Sequence, residues 1–494
     1  MILFRNVRLL GFDPPSVSDV TDLLTGDDGR IAAIGADLAG SPAAAGAKSG
    51  GSGGFLSPGL VVGHAHLYSI LSRGMRIAIE PSVDFAQMLD RLWWRLDRAL
   101  DESSVRASGL AGAAEAARCG VTTLIDHHAS PAFIDGSLQV LGDAVAEVGL
   151  RSILCYETTD RNGGTGAAAG IRENERYAAD CVRAAASAVG GRPGGLSGGG
   201  PSGSDVRGSG FAGGLPMRGA MIGGHAPFTL EDATLEALGD LVHRSGAPFH
   251  VHVAEDRYDA SESRARRGAD PVVRLDRFGC LVRNSIVAHG LWLRTEELDL
   301  LAERGARLAH NARSNMNNGV GYARLLPRAA NFLLGTDGLG ADMLEELRFA
   351  YFKHRDEGGS LAPEAFVRAL GRNGRFAADV LSAVAAAVAA AAAAGVTAAA
   401  GGRWPTAAGP GPYGLAVGAP ADLVHWDYES PTPVGADNLA AHLAFGLSTR
   451  DVRSTMVAGR FIVENRIPAF DSAAIAAKAN EEAVRLWKRM EEGK

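Results

Sequence analysis

Residues 57–69, SPGLVVGHAHLYS, decide how the rest of the chain is read. The apolar run Leu60–Val62 has the character of a buried strand, and His64 and His66 close it one residue apart. On a strand, residues i and i+2 project to the same side, so both imidazoles leave the strand's end together. That is how a protein offers two nitrogens to one metal ion. Alone the pair is a weak sign. Its weight comes from the metal-type residues at the ends of later strand-like runs.

Those runs are 59–66, 121–128, 150–157, 220–227, 248–255, 285–290, 307–312 and 331–338. Helical patterns such as SGLAGAAEAARCG (108–120) and LEALGDLVHRSG (235–246) separate several of them. Strands alternating with helices in this way predict an α/β fold, a (β/α)8 TIM barrel. Each run carries His, Asp, Glu or Asn at or near its end, where such barrels keep their catalytic groups. The flanks read differently. Residues 1–36, with a tight turn at Asp28-Gly29, and residues 414–467, with glycine turns, read as short strands. They predict a small composite β-sandwich built from both chain ends.

The expected division is 1–57 for the first part of the sandwich, 58–378 for the barrel with a low-complexity insert near 189–214, 379–413 for an Ala/Gly-rich insert, 414–468 for the second part of the sandwich and 469–494 for an amphipathic terminal helix. The Gly/Ala/Ser-rich stretch 39–54, the insert near 189–214 and the alanine run with the Gly/Pro stretch after it are all expected as exposed excursions.

A chain of 494 residues with 46% apolar content can bury one large core and a smaller one. A net charge of -7 with no basic block excludes a nucleic-acid footprint. Cys119, Cys155, Cys181 and Cys280 are scattered without paired spacing, which fits a reducing cytosol. The first residues, MILFRNVRLL, alternate like a strand and lack a signal-peptide layout, so a cytoplasmic protein is expected. The uncharged stretch Val380–Ala400 is nearly all alanine, which contributes little to membrane transfer; a plain helix or loop is expected and no membrane partner.

His64, His66, His252 and Asp337 assemble a four-ligand set, three imidazoles and a carboxylate, with water in the open position. Such a set suits one divalent ion, Zn²⁺ first and Fe²⁺ second, and acidifies the bound water toward neutrality. Glu255, three residues after His252, can face that water and move protons. His289, closing SIVAHG, is placed to bond a substrate carbonyl or ring nitrogen, or to assist in deprotonating water. His250 shares a face with His252 and is the alternative ligand; the spacing to Glu255 favours His252. A dinuclear version of this chemistry usually needs a carboxylated lysine, and there is no lysine between Lys48 and Lys353. His225 closes the strand where that lysine would sit and is read as a substrate contact.

With these residues in view, the chain resembles the amidohydrolase superfamily in its cytosine-deaminase and chlorohydrolase branch. PGLVVGHAHLYS is similar to the branch's first-strand signature, HVHVAED to its HxxE element, VAHGLWL to its sixth-strand histidine and LGTDG to its final aspartate. LSRGM, LWWRLDRALDE, DHHASP, ETTDRN, GGHAPFT, HNARSNMNNGVGY and FKHRDEGG are similar to the SsnA-type aminohydrolases. The resemblance covers nearly the whole chain apart from the low-complexity inserts.

It implies a mononuclear metal aminohydrolase in which His64, His66, His252 and Asp337 are ligands, Glu255 the proton shuttle and His289 a substrate and base partner. Metal hydroxide would add to an amidine-like carbon of a purine, pyrimidine or related heterocycle, Glu255 would protonate the leaving nitrogen, and Asp337 would help take the proton from water. The pocket candidates are Asp126, His128, Glu157, His225, Arg73 and the pair Trp93-Trp94, while Asn315 would hold loops. A homo-oligomer, a dimer at the family level, is implied too. The chain departs from the branch where a helix usually follows the barrel: an alanine run lies between Arg375 and Pro405. No residue suggests selenium chemistry. The competing readings are a ring-opening or chlorohydrolase-type hydrolase and a non-catalytic barrel that keeps its metal.

Overall fold

The computed structural model describes residues 1–190, 211–212, 214–394, 404 and 411–493. Most of the low-complexity insert near 189–214 and of the Gly/Pro stretch 401–413 therefore lies outside the described residues.

Every one of the eight strand-like runs contains a strand. In chain order they are β1 (Leu60–His66), β2 (Val121–His128), β3 (Arg151–Tyr156), β4 (Arg218–Ala220 followed by Ile222–Gly224), β5 (Phe249–Val253), β6 (Ile286–His289), β7 (Arg307–His310) and β8 (Leu333–Leu334 followed by Asp337–Gly338). All positions of β1, β2, β3, β5 and β6 are buried. Parallel strands covered on both faces read as continuous apolar runs in this way. The pairing is parallel throughout and forms two five-stranded sheets. One runs from the first piece of β4 through β3, β2 and β1 to the second piece of β8; the other runs from the second piece of β4 through β5, β6 and β7 to the first piece of β8.

β4 and β8 thus change partners halfway along, and each change leaves a seam where backbone groups lack ladder partners. A buried asparagine fills each one. Asn373 accepts from the backbone N–H of Leu334 (3.0 Å) and donates to the carbonyls of Leu334 (2.7 Å) and Val61 (2.8 Å), joining β8 to β1. Asn174 accepts from the N–H groups of Tyr156 (2.9 Å) and Gly223 (3.1 Å) and donates to the Tyr156 carbonyl (2.9 Å), joining β3 to β4. Each seam also needs a glycine. A Cβ on Gly63 would stand 2.5 Å from the Leu334 carbonyl oxygen, and one on Gly223 would stand 2.2 Å from that of Tyr156. The two asparagines come from the helices Gly163–Gly190 and Pro363–Ala393, which pack on β3 and β4 and on β1, β4 and β8.

Two expected excursions prove to be structural. The insert expected from residue 379 begins inside the helix Pro363–Ala393, where Val380, Leu381, Val384 and Val388 are buried. The valines and leucine recur at helical spacing among the alanines, so the run carries an apolar face that the composition hides. This helix is long and apolar enough to cross a membrane, but that face serves the core. In the stretch 39–54, Lys48–Ser52 forms a parallel strand beside Ile2–Phe12.

The chain ends meet in one mixed sheet of nine strands. Ile2–Phe12 is long enough to pair with Pro15–Thr25 on one edge and with Lys48–Ser52 and Phe55–Pro58 on the other. Phe55–Pro58 then pairs antiparallel with Leu423–Trp426, which brings in Val452–Val457 and Arg460–Glu464. Phe4, Val7, Leu23, Leu56 and Met456 form a small core of their own. The terminal helix spans Ser472–Glu491 and packs its Leu486 and Met490 inward near the helix Glu102–Arg118.

Replacing Asn373 or Asn174 with alanine strands several buried backbone groups at once. Each substitution is expected to cost about 2–4 kcal/mol of unfolding free energy, read as a lower urea midpoint at neutral pH. A shift within error of the parent would mean that water takes over the amide's role.

Candidate metal centre and active site

The carboxyl ends of the strands converge. β1 delivers His64 and His66, β2 His127, β5 His252, β6 His289 and β8 Asp337, while Glu157 and His225 lie just past β3 and β4. His66 Nε2 stands 3.0 Å from Asp337 Oδ1 and 3.0 Å from His252 Nε2, and His64 Nε2 stands 3.1 Å from Asp337 Oδ1. A tetrahedral zinc ion with bonds of about 2.0–2.1 Å sets its ligands about 3.3 Å apart. These three spacings are near the edges of such a shell, while among the described residues the sets whose ligand atoms all lie within 4.8 Å of one another are His64, His252, His289 and Asp337, and His66, His127, Glu157 and His252.

His252 and Glu255 would face opposite ways on a regular strand. Ala254, just after β5, has φ 49°, and this left-handed turn swings Glu255 back to the cavity. His289 (φ 74°) and Asp337 (φ 58°) are likewise left-handed without being glycine. Backbone of this kind is held only where its surroundings over-determine it.

The electrostatics ask for a cation. Burial holds His64 neutral, its pKa lowered to about 3, and keeps His252 and His250 well below the ordinary imidazole value. Burial works against charge on His66 too, but the carboxylates of Asp337 and Glu157 raise it well above that value. Asp337 resists burial because His66 and His64 hold it well below the usual carboxylate range. The donor set, the spacings and this one imidazole carrying the positive charge fit a divalent ion.

Glu255 is raised above its ordinary value, chiefly by burial, with His289 opposing and Asp337 assisting. Its Oε1 accepts from Asn318 Nδ2 at 3.2 Å, and its Oε2 lies 3.5 Å from His289 Nε2. His289 Nδ1 lies 2.8 Å from Asn315 Oδ1, so this nitrogen carries the proton and Nε2 is left toward Glu255. Ser314 donates to the second oxygen of Asp337. A cavity of about 690 Å³, open to solvent, borders His66, His252, Glu255 and Asp337 and includes Glu157 and His225. Its apolar wall is Phe85, Leu89, Trp93, Trp94 and Phe228.

Three expected pocket residues, His128, Arg73 and Asp126, are elsewhere. His128 points away from the cavity and lies 2.9 Å from Ser130 Oγ; strand alternation turns its neighbour His127 inward instead. The His127 ring sits 4.5 Å from that of His250 and 4.7 Å from that of His252. Arg73 is half-exposed, forks onto Glu115 at 2.8 and 3.0 Å, and stays outside the cavity wall. Asp126 accepts from the Leu67 N–H at 2.6 Å and pins the loop after β1. His250 stands behind the centre: its Nε2 lies 2.9 Å from His64 Nδ1 and its Nδ1 lies 3.6 Å from Cys155 Sγ. Sequence reasoning missed His127, Ser314 and Asn318. The signals were the doubled histidine in DHHASP and the polar run RSNMNN.

The pattern of the Amidohydrolase family matches residues 210–380. A 5′-deoxyadenosine deaminase of Methanothermobacter thermautotrophicus is 30% identical over 331 residues, covering 66% of this chain and 68% of its own. Among solved structures, an adenosine deaminase from Xanthomonas campestris with bound zinc superposes with a TM-score of 0.70 at 20% identity, over 99% of this chain and 98% of that one. An atrazine chlorohydrolase of Arthrobacter aurescens complexed with zinc gives 0.69 at 21% identity, over 98% and 100%. These two likenesses concern the fold.

Two measurements check this geometry. His252→Ala is expected to abolish stoichiometric zinc, whereas His250→Ala, which removes a partner of His64, should weaken zinc affinity about 10–100-fold; metal analysis after dialysis against graded chelator reads both. The reverse order would make His250 the ligand. Separately, burial lowers His64, His128, His225 and His310 from 6.5 to about 3 in the folded chain. Unfolding lets them take up protons, so their contribution is complete above pH 6.5 and lost as pH falls toward 3. Urea unfolding of the metal-free protein should show stability declining across that window; a flat profile would mean that the rings are hydrated.

Proposed function

Since the chain belongs to the amidohydrolase family, we propose that it is a metal-dependent aminohydrolase that removes ammonia from a purine, pyrimidine or related heterocycle. The observation that carries this reading is that His66 Nε2 stands 3.0 Å from both His252 Nε2 and Asp337 Oδ1, with a buried Glu255 lining the same cavity. The same reading takes the two parallel sheets as one (β/α)8 barrel, because β4 and β8 pair with each sheet in turn and the path of strands returns to β1.

In this reading His64, His66, His252 and Asp337 hold one divalent ion, zinc first and iron second. Such an ion, when bound, makes a water molecule acidic enough to act as a nucleophile near neutral pH. The chain's own groups do the rest. Asp337, kept ionised by the two imidazoles and oriented by Ser314, accepts a proton from water. Glu255, raised by burial, can carry a proton at Oε2 and pass it to the departing nitrogen. His289, its tautomer fixed by Asn315, presents Nε2 to Glu255 and to the substrate side. Glu157 and His225 border the space where the ring is held, and the aromatic wall covers its face.

The test is ammonia release by zinc-reconstituted protein over purines, pyrimidines, their oxidised forms and triazines. Release from one compound, reduced about 10²–10⁴-fold in Glu255→Gln, is the expected result. Chloride release without ammonia, or silence from folded and zinc-loaded protein, would overturn the proposal.

A further inference from the structure

Glu255 reaches the cavity because the chain turns left-handed at Ala254, and that turn has to be held. Ala254 has φ 49° without being glycine, a conformation in which Cβ crowds the following carbonyl. The last ladder pair of β5 with β6 is Val253 with His289, so the Ala254 peptide lies past the sheet. Its two polar groups are tied elsewhere. The carbonyl accepts from the Trp292 N–H at 3.2 Å, and the N–H donates to Asp259 Oδ2 at 2.5 Å.

Asp259 stands in the first turn of the helix Arg257–Arg267, yet it does not cap that helix. Asp256 does so, accepting from the Tyr258 N–H at 2.8 Å. Asp259 is 2% exposed at the border of the cavity, and its Oδ1 has no hydrogen-bond partner. Burial pushes its carboxyl up to about 7; the Ala254 N–H opposes the rise, while Glu262, Glu297 and Glu255 add to it. A carboxyl group placed in this way costs the fold free energy and returns one hydrogen bond. That bond falls on the residue that turns Glu255.

Resting on the aminohydrolase reading, we propose that Asp259 is a positioning residue for Glu255: its carboxylate locks the Ala254 peptide in the left-handed turn that aims Glu255 at the cavity. It takes no part in proton transfer. Two restraints divide the task. Asp259 acts on the backbone and sets where Glu255 leaves the chain, while Asn318 Nδ2, 3.2 Å from Oε1, sets where its carboxyl ends. Without the first, the second pulls against a backbone that runs on as an extended strand, and there His252 and Glu255 face opposite ways.

Kinetics of the zinc-loaded full chain on the compound that releases ammonia read this role. Asp259→Ala is expected to lower kcat about 10–100-fold, with KM within about twofold and zinc content unchanged. Asp259→Asn keeps an oxygen that can accept from the Ala254 N–H and should stay within about threefold of the parent. Adding Ala254→Gly to Asp259→Ala should bring kcat back to within about threefold of the parent, since glycine takes positive φ unaided. In Glu255→Gln protein the Asp259→Ala change should alter kcat less than about twofold, because no carboxyl is left to aim. Ala254→Val, which keeps Asp259 but places a β-branched residue at positive φ, should show the same loss as Asp259→Ala and serves if that variant does not fold. A merely structural role lowers kcat in both backgrounds and is not repaired by glycine at 254. Either of those results, or parent kcat in Asp259→Ala, overturns the positioning role and leaves the aminohydrolase reading standing. If no compound is turned over, the aminohydrolase reading falls, and a crystal structure of zinc-loaded Asp259→Ala decides the positioning role separately. Glu255 is expected to have left Asn318; an unmoved Glu255 overturns the proposal.

Discussion

The two buried asparagine amides at the sheet seams are the contacts on which the rest of the molecule depends. His64, His66 and Asp337 stand on one sheet, and His252 and His289 stand on the other. Neither sheet alone carries His64, His66, His252 and Asp337. Only where β1 meets β8 and β3 meets β4 are the two sets aimed at one point, and those meetings are held by Asn373 and Asn174 with Gly63 and Gly223 leaving room. The seams act as hinges of registration: a shift of one strand there would move a ligand by ångströms, far more than a coordination shell tolerates.

The centre itself is held by opposing preferences. Burial wants every group neutral, while proximity wants Asp337 and His66 charged. The outcome is a site rich in carboxylates in which neutral imidazoles cannot balance the charge. A bound cation would satisfy Asp337 and Glu157 at once and let His66 be neutral like His64 and His252. The left-handed residues at the ends of β5, β6 and β8 belong to the same compromise, since they turn side chains inward at positions where a regular strand would carry them past.

Much of this was legible in the sequence because its signals are local. An HxH at a strand end and a Glu three residues after His252 need only the pleat and a turn to be read. What depended on three-dimensional closure was not legible. The choice between His127 and His128 is a choice of strand face, set by which side the neighbouring strands cover. Arg73 sits in a loop whose path is fixed by Glu115 and the Leu339 carbonyl, both distant from it in the chain. Asn174 and Asn373 lie within helical sequences with nothing to mark them as strand connectors. The alanine run misled for another reason: low complexity describes composition, whereas Val380, Leu381, Val384 and Val388 carry a pattern.

The pairing of Phe55–Pro58 with Leu423–Trp426 has a consequence for how the molecule is made. A ribosome releases residues 1–58 first, and the strand that must lie beside Phe55–Pro58 is synthesised several hundred residues later, a wait on the order of tens of seconds at about 5–20 residues per second. During that interval the early strands hold an open edge, with Leu56 still awaiting Leu423 and Met456 to complete its core. The nascent chain therefore finishes its first-made sheet last. Biogenesis, more than the finished architecture, is where this sheet exposes the protein to trapping by chaperones or to aggregation.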